Sequence, residues 1–405
     1  MKSSHVILFI LTISLPVMLQ AQAHKWHGTH QDARYPDSNL LDDWPENGLT
    51  MVQTYSGIGE GYGSPSISEE GLFIAGMHDS TGYIYHFKHD GELVWKTAYG
   101  QDFTVRFPGS RGTPTLNDGN LYYSGAHGDA FCLDMKTGKT IWQVNIFEKY
   151  NGELIKWGYT ESPLVYRDLV ILQPGGPDVS LCALNKHDGS VVWETALDGN
   201  ANAYCSPKLI EHNDDTLVMV NLDFNLVIFD PNTGNVRMKH PLTEKRGNHS
   251  NEPVYKEGQI FYSSGYGEGS VMFQINDEKQ RLDTLWQNTN FDSKLSGIQV
   301  VDGLIYGTSD QKKHWAAIRW DSGEEVFTTR EIKPGSFVMA DGKFFIFTED
   351  AEVALAKPTS SGFDIISRFQ SPAHPAVHAY AHPVIWQGDL FLRFNDHIWR
   401  YRIAK

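Results

Sequence analysis

The chain has 405 residues, and 34 Lys and Arg against 49 Asp and Glu leave a formal charge of −15, which argues against nucleic acid or anionic lipid as its main partner. At 40% hydrophobic and 12% aromatic residues it can build a sizeable core, which excludes a disordered chain. Three cysteines, Cys132, Cys182 and Cys205, are an odd count, so at least one thiol is unpaired within a monomer.

At the amino end, Lys2, the apolar run Val6–Leu19 and the small residues Ala21 and Ala23 predict a secretory signal over residues 1–23. The run is short for a membrane span, and no cysteine follows it to accept a lipid. The expected product is a soluble periplasmic or secreted chain starting near His24, without a membrane span. Losing Lys2 and no acid takes its charge from −15 to −16. Residues 24–48 read as a leader, and Leu49–Tyr55 as a strand with no local partner.

From there one phrase recurs: Ser/Thr-Pro, a hydrophobic strand with a Gly or Asp-Gly turn, then Gly-x-x-x-Trp. Pro65, Gly91 and Trp95 mark the first copy, Pro114, Gly138 and Trp142 the second, and Pro163, Gly189 and Trp193 the third. The marker position continues at Pro207, Pro253, Ile298, Phe337 and Pro383, with spacings of 39 to 49 residues. Units of this length, built from about four short strands, predict a β-propeller. The fold expected is all-β, an eight-bladed propeller of four-stranded antiparallel blades over residues 49–405. Only three strands fit after Pro383, so Leu49–Tyr55 is expected to complete the last blade and close the ring.

The glycine of each Gly-x-x-x-Trp gives a tight turn and leaves room for an indole over its backbone. Met238 after Gly234 and Phe327 after Gly323 show that any large apolar group serves, which points to packing rather than chemistry. Cys132 and Cys182 fall near the small-residue position of the third strand in successive blades and read as buried thiols, with a Cys132–Cys182 bridge as the alternative.

The copies LDMKTGKTIW and ALNKHDGSVVW resemble the pyrroloquinoline-quinone (PQQ) repeat of quinoprotein alcohol dehydrogenase-like propellers, over nearly the whole mature chain. The leader, with Trp26, Gly28, Leu40, Leu41, Trp44, Pro45 and Gly48, also looks like that of a large bacterial subfamily. The resemblance implies two possible functions. One is a PQQ-dependent oxidoreductase acting on an alcohol or sugar. The other is a noncatalytic propeller holding an envelope protein partner, as in the outer-membrane barrel-assembly machinery. Family enzymes bind the quinone with arginine, a stacking tryptophan and a calcium held by carboxylate and amide oxygens. Arg106, Arg111, Trp157, Glu161, Asn251 and Glu252 are groups of those types here. The adjacent-cysteine disulfide of some family enzymes is missing, as is Cys-x-x-Cys-His for haem.

The loops before the markers should converge on the central channel, and they are rich in Arg, carboxylate, His and aromatic residues. Besides the residues just named they contain Ser110, Tyr159, Asn202, Arg246, Asn248, His374, His378 and Tyr380. The expected cofactor-binding residues are Arg106, Arg111, Trp157, Tyr204, His249, Asn251 and His382, with Glu161 or Glu252 as catalytic base. The expected ligand is PQQ, with calcium, or another small polar molecule such as a saccharide. The histidine sets His24, His27, His30 and His374, His378, His382 read as ordinary polar residues, because Pro375 and Pro383 exclude the helix that would align the second set. GIGEGYG at Gly57 and GYGEG at Gly265 precede no helix and read as turns, not nucleotide-binding loops.

Overall fold

The computed structural model describes residues 23–199, 201–242, 249–372 and 378–405. The signal reading up to residue 22, Arg246, Asn248, His374 and Pro375 lie outside the described residues.

Eight four-stranded sheets are present, each antiparallel and seven of them sequential in the chain. In the eighth, Val384–Trp386, Asp389–Phe394 and His397–Arg402 are completed by Met51–Tyr55 from the amino end. That strand pairs Met51 with Tyr401, Thr54 with Trp399 and Tyr55 with Ile398, which closes the ring as the strand count predicted. The first hairpin of each blade turns on two residues, often Asp-Gly, as at Asp118-Gly119, Asp302-Gly303 and Asp341-Gly342, all with positive φ. Its last pair lies three residues beyond the marker in every blade except the fourth, including Val301 after Ile298 and Ala340 after Phe337.

Burial grades outward along each blade. Second and third strands, such as Gly71–His78 and Asn225–Phe229, are buried almost throughout because neighbouring blades cover both faces. Outer strands, such as Leu93–Gln101, are largely exposed. The tryptophans join blades. Trp142 packs on Gly189 of the next blade, where an added Cβ would lie 2.9 Å from its ring, and its Nε1 donates to Lys186 O at 2.9 Å. Trp95, Trp193 and Trp286 repeat this with Met135, Pro231 and Trp320 carbonyls at 3.0, 2.9 and 3.0 Å. The indole therefore sits over the following blade's glycine, not its own. Met238 packs in one cluster with Phe273, Ile275 and Leu282 of blade five, whose corresponding turn, Asn276 to Gln280, has no glycine.

Cys132 and Cys182 lie on third strands, and all three thiols are free and buried. One element was not anticipated, a short helix Ile146–Tyr150 between blades two and three. Asn145 caps it by accepting from Glu148 N at 2.8 Å, and Phe147 packs edge-on against Tyr159.

Candidate functional site

The loop before each marker enters the channel, and the residue three before the marker points into it. In seven blades that residue lines one funnel: Tyr62, Arg111, Thr160, Tyr204, Ser250, Leu295 and Tyr380. Phe107, Trp157, Tyr266 and Lys294 widen the wall, and Trp26 of the leader lies against His382 at the base, enclosing about 330 Å³. Seven aromatic side chains thus surround two cations. Burial pushes the phenols of Tyr204 and Tyr380 up to about 12, so both remain protonated donors at neutral pH. Among the described residues no carboxylate lines this funnel.

The leader crosses the channel beneath it. His24 O accepts from Leu116 N at 2.7 Å, Gln31 O from Lys208 Nζ at 2.7 Å, and Met339 O from Tyr35 N at 2.8 Å, so the leader is bound by blades two, four and seven. A second cavity of about 450 Å³ lies on its other side, lined by His27, Gln31, Asp32, Arg34, Lys208 and Glu252 among others.

Of the sequence-expected residues, Arg111, Trp157, Tyr204 and His382 line the funnel together. Arg111 is held by carbonyls, Nη2 donating to Phe107 O at 2.8 Å and Nε to Trp157 O, and its guanidinium lies 4.3 Å from the Phe103 ring centre. It therefore shapes the wall as well as charging it. Trp157 N donates to the Tyr204 hydroxyl at 3.3 Å, tying the two platforms.

The others are placed elsewhere. Arg106 is exposed outside the funnel, and its carbonyl accepts from Arg111 at 3.2 Å. His249 is buried between the Tyr262 hydroxyl and Asp223 O, and Asn251 between Ser293 Oγ at 3.1 Å and Gly297 N at 3.2 Å. Glu161 is 2% exposed behind the wall, where Oε2 accepts from Thr160 N at 3.0 Å and burial pushes its carboxyl up to about 8. Glu252 faces the second cavity and meets His27 Nδ1 at 3.1 Å. No group of three or more His, Cys, Asp or Glu able to hold a metal occurs among the described residues. The carboxylates thus do not fit a calcium-supported quinone, because they form no such group and Glu252 is taken by histidine.

Sequence reasoning missed Lys294, Tyr62, Tyr266 and Trp26 as wall residues. Lys294 and Tyr62 obey the loop-before-marker rule in blades six and one. Tyr266 comes from a loop between second and third strands, and Trp26 from the leader, which the repeat does not describe.

The family model described as outer membrane protein assembly factor BamB matches residues 80–329. The quinoprotein alcohol dehydrogenase PedH of Pseudomonas putida is 25% identical over 202 residues, covering 48% of this chain and 32% of that protein. The chain thus spans about a third of that relative's length. BamB of Yersinia pestis is 22% identical over 284 residues, covering 65% of this chain and 67% of that one. Among solved structures, BamB from Moraxella catarrhalis has a TM-score of 0.63 at 14% identity, covering 88% of this chain and 100% of that one. Quinohemoprotein alcohol dehydrogenase from Comamonas testosteroni has 0.66 at 10%, covering 95% and 81%; both structures share the fold. No helix among the described residues is long and apolar enough to cross a membrane. With the repeat, the ring and this match in agreement, the chain belongs to the PQQ-repeat propeller family described as outer membrane protein assembly factor BamB.

Proposed function

We propose that this protein is an exported binding propeller that takes up a planar, carboxylate-bearing small molecule of the PQQ type in its aromatic funnel. The observation that carries the reading is the convergence of seven aromatic side chains, Arg111 and Lys294 on one cavity of about 330 Å³. Trp157, Tyr204 and Trp26 would contact the ring faces, and Arg111 and Lys294 the carboxylates. A bound quinone would supply hydride-accepting chemistry, yet this wall offers it no general base. No described wall residue is a carboxylate, and both ring nitrogens of His382 are engaged, with His27 and with Leu295 O at 2.9 Å each. Binding rather than alcohol or sugar oxidation is therefore the function proposed, and Glu161 and Glu252 are assigned structural roles. The test is quenching of intrinsic tryptophan fluorescence by PQQ with and without calcium. Saturable quenching independent of calcium supports the reading, and saturation only with calcium overturns the rejection of a metal-assisted site.

A second reading has its own support. Val105, Phe107, Leu154, Phe224 and Leu295 are 67%, 43%, 38%, 55% and 37% exposed on loops, several of them beside the funnel, an apolar rim suited to an envelope protein partner. It also agrees with the BamB relative of Yersinia pestis, whose match covers 65% of this chain and 67% of that one.

A further inference from the structure

The position just before the marker is a hydroxyl in five blades, Ser64, Thr113, Ser162, Ser206 and Ser336, but Glu252, Gly297 and His382 in blades five, six and eight. Into that gap the leader inserts His27. Gly297 makes room for the His382 ring, since an added Cβ there would lie 3.1 Å from His382 Cε1. The result is a chain across the channel: Glu252 Oε2 to His27 Nδ1 at 3.1 Å, His27 Nε2 to His382 Nδ1 at 2.9 Å, and His382 Nε2 to Leu295 O at 2.9 Å. Trp26 stacks on His27 at 3.8 Å and meets His382 edge-on at 4.8 Å, so the same chain fixes the base of the funnel.

Counting protons shows what holds it. Both ends are acceptors, a carbonyl and a carboxyl oxygen, so three contacts need three protons, while two neutral imidazoles bring two. The third resides either on Glu252, with both imidazoles neutral, or as an imidazolium paired with the carboxylate. Without it, two lone pairs face each other at one of the three contacts. We propose that this shared proton is a latch: the Glu252–His27–His382 chain holds the leader across the channel while protonated and releases it when the proton is lost.

Two observations support the latch. The leader backbone is held in the left-handed region at His27, Gln31 and Ala33, with φ of 59°, 51° and 55°, which persists only where the surroundings enforce it. Burial and the neighbouring His27 hold the His382 imidazole well below its usual range, in keeping with a neutral His382 Nδ1 that accepts from His27. Charged or titratable neighbours are Lys25 of the leader and Lys208 and Cys205 of blade four around Glu252, with Asp32, Arg34, Lys256, Tyr255 and Asp302 further along that cavity. On the funnel side they are Tyr62, Arg111, Tyr204, Tyr266, Lys294 and Tyr380. The latched state binds one proton more than the released state, so rising pH favours release.

The test is hydrogen exchange on the full chain at pH 6 and pH 9, following the leader amides of Gln31, Ala33 and Tyr35 against blade amides. After correction for the base-catalysed intrinsic rate, leader protection should fall about tenfold or more, the factor set by losing one charge-assisted hydrogen bond, while blade protection holds. Glu252→Gln supplies a permanent N–H to His27 and completes the chain without a titratable proton, so its leader should stay protected at both pH values. Equal pH dependence in wild type and variant overturns the proposal. Should the variant not fold, flat leader protection in the wild type between the two pH values overturns it alone. Control of ligand uptake by this latch rests on the proposed funnel site, but the exchange experiment contains no ligand and fails or succeeds independently of it.

Discussion

Glu161 should make the protein less stable as pH rises through the neutral range. Its carboxyl is 2% exposed, its Oε1 has no hydrogen-bond partner, and burial raises it from 4.5 to about 8. Because the fold raises this acid, the folded state binds the extra proton between those limits. Stability is then greatest below pH 4.5, declines as pH rises toward 8, and is constant above. At about 1.4 kcal/mol per unit, the decline between pH 5 and pH 7 comes to about 2–3 kcal/mol. Glu161→Gln keeps the shape without the titration, so its stability relative to wild type should improve by about 2–3 kcal/mol from pH 5 to pH 7. Urea unfolding followed by tryptophan fluorescence at the two pH values measures this directly. A relative stability that does not change with pH would refute the reasoning. It would mean that Glu161 is ionised in the fold, the state that a bound cation requires.

Other consequences are simpler. Trp142→Ala removes a nearly buried indole and its bond to Lys186 O, and should cost about 3–5 kcal/mol in urea unfolding, whereas Trp142→Phe should cost about 1 kcal/mol more than a neutral surface change. Gly189→Ala should also destabilise, since φ is +73° and the new Cβ would meet Trp142 at 2.9 Å; a wild-type melting temperature would contradict the interlock.

The architecture was legible because each copy repeats the same physical demands: a turn glycine, an apolar pair of inner strands, a large side chain over the next blade. Even Ile298 and Phe337, which lack the marker proline, keep the hairpin register, because the two-residue turn fixes it. The site was legible only where it follows the repeat. Arg111, Tyr204 and Tyr380 sit three residues before their markers and line the funnel, as do Tyr62 and Leu295. Glu161 and Asn251 sit only two before, which turns them behind the wall, and Glu252 sits one before, where it meets the leader. A one-residue offset reverses the direction of a side chain in extended backbone, and residue type gives no warning of it. His27 and Trp26 were beyond reach for another reason, since the leader lies outside the repeat and its partners are hundreds of residues away, Glu252 by 225 and His382 by 355.

The central claim is that the funnel binds a planar anionic molecule. Calorimetric titration of the purified chain with PQQ, in parallel with Trp157→Ala, tests it most directly. The account predicts one saturable site without added calcium, weakened in the variant by about three- to tenfold for the loss of one stacking face, with unchanged melting. No heat of binding at high quinone, or equal affinity in both proteins, would contradict it and leave the apolar rim and a protein partner as the function of this face.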